Sequence, residues 1–335
     1  MTRSAIHWTT LPTARDLVGQ TRPYAKEQVG RSWFVLLSTF AVLGATVAVA
    51  AAPRVPWPAR LAASLVESLL MVRAFILYHD HMHGALLRGS GVARVLTSAV
   101  GMFIMAPPRV WKQTHDYHHA NTAKIVGSNV GSFATMTTGM WARASRLQRL
   151  VYRITRHPLN MVFGVVTIFL YGMCISSFLR DPRRFWDSLL AIGLHAAAAV
   201  LLITFFGFDV WAYTVLIPAS IACALGGYLF YAQHNFPDMF IAARDEWEWV
   251  GAALESSSYL ETGPVLAWFI GNIGYHHVHH LNPAIPFYRL PEAMAAIPAL
   301  QDAHKTSLRP ADVLACFRLK LWDPKAGKMV GYPRD

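Results

Sequence analysis

Charge is what this 335-residue sequence has least of. Only 15% of its residues are Asp, Glu, Lys or Arg, against roughly 25% in soluble globular proteins. That shortage excludes an ordinary water-facing surface. With 54% hydrophobic residues and a mean hydropathy of +0.32, it points to a chain embedded in lipid. Acid is scarcer than base, 19 residues against 30, for a net charge of +11. In a soluble protein that excess would suggest nucleic acid. In so apolar a chain it reads as basic loops held on the cytoplasmic side against anionic headgroups, with no nucleic-acid partner. Cysteine is also scarce. Cys174, Cys223 and Cys316 are too widely spaced for a disulfide framework, a redox pair or a metal knuckle, so packing roles are expected. The opening MTRSAIHWTT has no apolar run of the signal-peptide kind. Internal repeats and low-complexity tracts are absent.

Long apolar runs are present. Trp33 to Ala52 is long enough for a hydrocarbon core of about 30 Å. A Pro-rich turn, APRVPWPAR, separates it from a second run, Leu61 to Tyr78, which contains Glu67 and Arg73. Charges within a span are costly and should face protein or an interface. Val95 to Met105 is too short to span and reads as an interfacial or buried helix. Three runs follow a basic stretch at 107–157: Pro158 to Leu179, Ser188 to Phe208, and Val210 to Ala232. If residues 79–119 and residue 234 share one site, an even number of crossings must separate them. The basic loop RDPRR at 180–184 favours a cytoplasmic position, so 158–179 is expected to enter and leave on one side. Four spans result, at 33–52, 59–78, 188–208 and 210–232, with the short turn at Gly207–Asp209 as the weak point. The expected fold is an all-α integral membrane protein: four transmembrane helices, interfacial helices and a cytosolic helical cap. It is read as a single domain, with residues 1–32 as a cytosolic N-terminal segment, 33–232 as the membrane region with a cytosolic insertion at 79–157, and 233–335 as the cap.

Histidine carries the chemistry. Eleven of the 15 histidines fall in four places: HDHMH (His79, His81, His83), HDYHH (His115, His118, His119), QHNF (His234) and HHVHH (His276, His277, His279, His280). On a helix, residues three or four apart share a face. His79 and His83 are i,i+4; His115, His118 and His119 are i,i+3,i+4, and His276, His279 and His280 repeat that spacing. With His234 there are nine candidate ligands, too many for one ion and suited to two with four or five each. Imidazole serves iron, zinc and copper; closed zinc sites usually bring cysteine, and none is near, so a redox pair of metals fits better. Asp80 and Asp116 stand ready to orient imidazoles, or to serve as N-cap or surface acids. His7 and His304 read as surface residues, His157 as a cap or interface residue, and His195, inside a span, as packed, neutral and hydrogen-bonded. The first and third places begin where spans end, which suits a substrate that lives in the bilayer.

At these residues the sequence resembles the membrane fatty acid desaturases, known by three histidine boxes and one further histidine before the last. The resemblance runs from about residue 60 to the end. It includes LESSSYLETGPVLAWFIGNIGYHHVHHLNPAIPFYRLPE (254–292) and LKLWDPKAGKMVGY (319–332), in the manner of bacterial omega-6-type (delta-12-like) acyl-lipid enzymes. It implies a helical membrane bundle with a cytosolic cap, and a non-haem di-iron centre held by His79, His83, His115, His118, His119, His234, His276, His279 and His280. His81 and His277 are set aside, though each offers an alternative within its box. It further implies O2 as co-substrate and an O2-dependent oxidoreductase that takes two hydrogens from an unactivated acyl chain to leave a cis double bond. The substrate is then an acyl lipid or acyl thioester. Without a haem motif of the HPGG kind, electrons come from a separate ferredoxin-like or cytochrome b5-like donor, for which the net positive charge suits an acidic partner. A bacterial inner membrane with both termini cytoplasmic is implied too. Trp111, Trp268 and Tyr275, near the ligands, are candidates for an acyl tunnel, or else interface anchors.

Two rival readings are weighed. A carotenoid ketolase or hydroxylase, or an acyl hydroxylase or acetylenase, would share the scaffold, and HDHMHG fits such a first box; QHNF and WFIGNIG favour the desaturase. A metal transporter without catalysis would carry its site at mid-membrane on broken helices, whereas these histidines lie at span ends.

Overall fold

The computed structural model describes residues 14–126 and 130–333; residues 1–13 of the N-terminal segment, with His7, lie outside them. Four helices are long and apolar enough to cross a membrane. They are α1 (Val29–Ala51), α2 (Trp57–His83), and, after a bent pair formed by α3 (Gly91–Phe103) and α4 (Pro108–Asn121), α5 (Trp186–Phe206) and α6 (Phe208–Gln233). These match the four expected spans to within a few residues at most ends. The largest difference is at α2, which continues five residues past Tyr78 and carries the first histidine box into its last turn.

Solvent-like exposure of large apolar side chains marks the lipid face. Phe34, Leu37, Val200, Leu201 and Phe205 all point outward, and only 6% of the apolar window of α5 is buried within the protein. α2 is the opposite, 67% buried, and packs between α1 and α6. The two charges of its apolar run, Glu67 and Arg73, are inside, as the cost of charge in lipid requires. Arg73 donates through Nε to Thr39 Oγ1 at 3.0 Å, bonds the Trp268 carbonyl, and lies 3.9 Å from the Trp268 ring centroid. Glu67 is only 2% exposed. Near the other end, Arg60 donates to Ala50 O and to Asp209 Oδ2 at 2.8 and 2.7 Å. That clasp joins the α1–α2 turn to the tight Gly207 link between α5 and α6.

The bent pair turns by 88°. It follows α2, which ends at His83, and its second helix carries His119, a member of the same histidine group. Proline at the start of α4 suits a helix N-terminus, where an N–H would be unpaired anyway. The 158–180 run is likewise not a straight span. It forms a short helix at Pro158–Val162, an 11-residue π-helical segment at Val165–Ile175 and one more α-turn to Arg180.

Beyond α6 the chain builds the cap from short helices and from strands that apolar periodicity did not reveal, one strand coming from the stretch between α4 and α5. β1 (Met136–Thr137), β4 (Leu321–Asp323) and β5 (Lys328–Val330) form one small sheet; β2 (Tyr259–Glu261) and β3 (Lys305–Ser307) pair in parallel as another. Each has two or three residues, too few to show alternation. The N-terminal helix Ala14–Thr21 docks on this cap: Leu17 is fully buried, and Asn282 Nδ2 donates to Thr21 Oγ1 at 2.8 Å.

One close approach fixes the bent pair on α2. A Cβ at Gly101 would stand 2.7 Å from Cζ of Tyr78, whose hydroxyl donates to Ala106 O at 3.0 Å. Gly101→Ala should therefore cost about 1–3 kcal/mol through overpacking. Gly44→Ala, where a Cβ meets nothing within 4 Å, should cost nothing. Thermal melting in detergent compares them; equal melting temperatures would refute this account of the contact.

Candidate metal centre

α2 ends by a left-handed Gly84 (φ 73°), whose N–H returns to the carbonyls of Asp80 and His81. Only glycine adopts that geometry at little cost. The stop leaves His79 and His83 on the final turns, facing α4. There Trp111 stacks on His115 with centroids 4.5 Å apart and planes 17° apart, which orients the second box. His234 is the C-cap of α6. The six-residue helix His276–Leu281 presents the last box and is entirely buried.

Four separate chain segments thus bring nine imidazoles into two groups. His79, His83, His115, His119 and His279 form one; His118, His234, His276 and His280 form the other. Within each, one ligating atom per residue lies within 4.8 Å of every other. In the first group His119 Nε2 stands 3.2 Å from His115 Nε2 and 3.1 Å from His279 Nε2. In the second, His234 Nε2 is 3.1 Å from His118 Nε2 and 2.8 Å from His276 Nε2, and His276 Nε2 is 3.1 Å from His280 Nε2. The two groups touch where His119 and His280 stack, with centroids 4.2 Å apart.

Hydrogen bonds at the outer nitrogens assign the tautomers. His234 Nδ1–H donates to Ser256 O at 3.0 Å. Thr122 Oγ1 donates to His118 O at 2.8 Å and so accepts from His280 Nδ1–H at 3.2 Å. His79 Nδ1–H donates to Asp80 Oδ1 at 3.0 Å, while Asp80 Oδ2 accepts from Phe287 N at 2.7 Å. In each case Nε2 is left with its lone pair turned inward. Lone pairs converging at about 3 Å repel unless an electrophile lies between them, so a metal ion fits each group by the chemistry of its donors. Burial pushes His234 down to about 4, against the opposing Ser256 hydrogen bond. Burial, then neighbouring imidazoles, hold His276, His279 and His280 well below the usual range. All four are therefore neutral and able to ligate.

The remaining histidines stay apart. His81 Nδ1 bonds Leu86 O, and His277 Nε2 bonds Leu300 O, both at 3.0 Å and away from the groups. His157 accepts from Leu159 N as an N-cap, and His195 bonds Phe103 O and stacks on its ring. His304 is not a surface residue: it pairs with Glu255 at 2.7 Å and is only 11% exposed at the side chain. Asp116 is a surface acid paired with Lys112, so only Asp80 orients an imidazole.

An apolar cavity of about 420 Å³ runs from His115 into the bundle, lined by Phe75, Trp111, Phe169, Met173, Cys223 and Phe230. Trp111 thus lies where a tunnel residue was expected. Trp268 and Tyr275 do not line this cavity: Trp268 is held under Arg73, and Tyr275 packs on Tyr259. Phe230 was missed. It sits one turn before His234 and packs on His118, with centroids 4.9 Å apart. Also missed was fully buried Arg156, which bonds Asn235 Oδ1 beside His234 and the carbonyls of Phe133 and Ala134. A basic residue in a basic stretch gave no signal of that.

The sequence profile of the fatty acid desaturase family matches residues 55–311. The chain is 28% identical to a fatty acid desaturase of Bacillus subtilis (strain 168), over 95% of this chain and 90% of that one. It is 24% identical to an sn-1 oleoyl-lipid 12-desaturase of Picosynechococcus sp., over 78% and 75%. Against a Delta(12) acyl-lipid conjugase of Impatiens balsamina it is 26% identical, over 75% and 68%.

Burial holds His234 and His277 at about 4, whereas a free imidazole titrates near 6.5. Between those values the unfolded chain binds more protons than the folded one, so stability falls as pH drops from about 6.5 to about 4. The melting temperature of metal-stripped protein should fall by several degrees across that window. A flat profile would mean that burial does not keep these rings neutral.

Proposed function

The chain belongs to the fatty acid desaturase family, a membrane-embedded oxidoreductase, and we propose that it introduces a cis double bond into an acyl chain at a di-iron centre. The observation that carries this reading is an apolar cavity within the helical bundle that reaches His115 of one histidine group and is lined by Phe230, which packs on His118 of the other. Iron held by His79, His83, His115, His119 and His279, and by His118, His234, His276 and His280, would supply with O2 and two electrons the hydrogen abstraction that an unactivated C–H bond demands.

The protein's own part is positioning and exclusion of water. Phe75, Trp111 and Phe230 form apolar walls that hold a methylene chain beside His115 and His118 while keeping out water. Asp80, Thr122 and the Ser256 carbonyl fix imidazole orientation, so that ligands need no rearrangement on loading. The histidine end of the bundle faces the cytoplasm in this reading, with a separate donor delivering electrons there. An acyl lipid enters from the bilayer; the name of the Picosynechococcus relative, an sn-1 oleoyl-lipid 12-desaturase, supports a lipid-linked substrate. The same name, and span-end histidines rather than mid-membrane ones, support an acyl desaturase over a carotenoid oxygenase or a metal transporter.

The test is expression, with a compatible donor, in a host whose lipids lack polyunsaturated chains, followed by fatty acid profiling. The unsubstituted protein should add a double bond; His118→Ala should remove that product, and His81→Gln, outside both groups, should retain it. Thr122→Val should weaken metal binding roughly 10-fold or more through His280. A lipid profile unchanged by the unsubstituted protein with iron bound would contradict the desaturase reading.

A further inference from the structure

Two adjacent glycines of α6 face the apolar cavity, and they are there for different reasons. A Cβ on Gly227 would stand 2.9 Å from Ile168 Cδ1 of the π-helical segment; its bare backbone lets the two walls touch. A Cβ on Gly226 would meet no heavy atom within 4 Å. Packing therefore does not call for glycine at 226, and within a helix glycine is disfavoured relative to alanine. Yet Gly226 lines the cavity, so its missing side chain leaves empty volume inside it.

The position of that volume along the helix matters. Gly226 is one turn from Phe230, which packs on His118, and two turns from His234, about 12 Å along the axis at 1.5 Å per residue. It sits beyond the metal end, where the part of an acyl chain furthest from the reacting carbons would lie. Gly172 lines the opposite wall. A Cβ there would meet only Thr167 O of its own segment, at 3.5 Å, so that wall is open too.

Resting on the desaturase reading, we propose that Gly226 is a specificity-determining residue: its bare backbone admits the segment of acyl chain that extends past Phe230. A side chain at 226 shortens the cavity without disturbing helix packing, and shifts the enzyme to shorter acyl chains. Gly172 acts on the same volume from the other side.

Hosts supplied with equal amounts of two acyl chains differing by a few carbons provide the test. Gly226→Leu should lower the ratio of long-chain to short-chain product roughly tenfold or more, as loss of space for a few methylenes implies. Gly226→Ala should give an intermediate ratio with unchanged or raised melting temperature. An unchanged ratio in Gly226→Leu, with metal content equal to that of the unsubstituted protein, would overturn the proposal. A second measurement needs no turnover: heat stabilisation of the purified protein by fatty acids of graded length. The longest chain that stabilises should shorten in Gly226→Leu, and also in Gly172→Leu should either leucine at 226 prevent folding. If the unsubstituted protein forms no product, the desaturase reading fails, and this binding series alone decides whether Gly226 sets chain length; identical length dependence in both proteins would refute it.

Discussion

Everything in this structure depends on gathering nine imidazoles into two groups, with one ring nitrogen of each within 4.8 Å of the others in its group. Burial is the largest cause of neutrality at His234, His276, His279 and His280, and neighbouring imidazoles add to it at the last three. Direction comes from partners on the outer nitrogens: the Ser256 carbonyl for His234, Thr122 for His280 and Asp80 for His79. Thr122, and the Phe287 N–H that holds Asp80, come from distant parts of the chain, so the cap, the bent pair and the spans must all be in place before either group is complete. The left-handed Gly84 and the close contact of Gly101 with Tyr78 set where the first two boxes meet.

The same arrangement puts ligands at the ends of long apolar helices, His79 and His83 on the final turns of α2 and His234 at the end of α6. The apolar cavity between those helices continues from the histidines into the bundle. Trp111 and Phe230 form both the cavity wall and the packing behind His115 and His118. The wall between cavity and bilayer includes the π-helical segment, an irregular helix of the kind often found at functional sites.

Much of this was legible in the sequence, because its signals are strong and local. Spans follow from run length, and histidine spacing at three and four residues predicts shared faces; both hold here, and His81 and His277 stand outside the groups. The number of long apolar helices equals the four expected spans, and 158–180 is broken by a π-helical segment rather than forming one straight helix. What was not legible depends on contacts between distant segments. Strands of two or three residues carry no periodicity. Trp268 and Tyr275 are close in sequence to the last box but turned to other partners. His304 gave no sign of its pairing with Glu255, nor Arg156 of its burial beside Asn235. A glycine that leaves volume in a cavity looks in the sequence like one that permits close packing, and only the neighbours of Gly226 and Gly227 separate them.

The most direct test of the central claim is metal analysis of the purified protein, with X-ray absorption at the iron edge. Two separate histidine groups predict two iron ions per chain, each ligated by nitrogen with no sulfur in the shell. A single ion per chain, or sulfur ligation, would contradict the account.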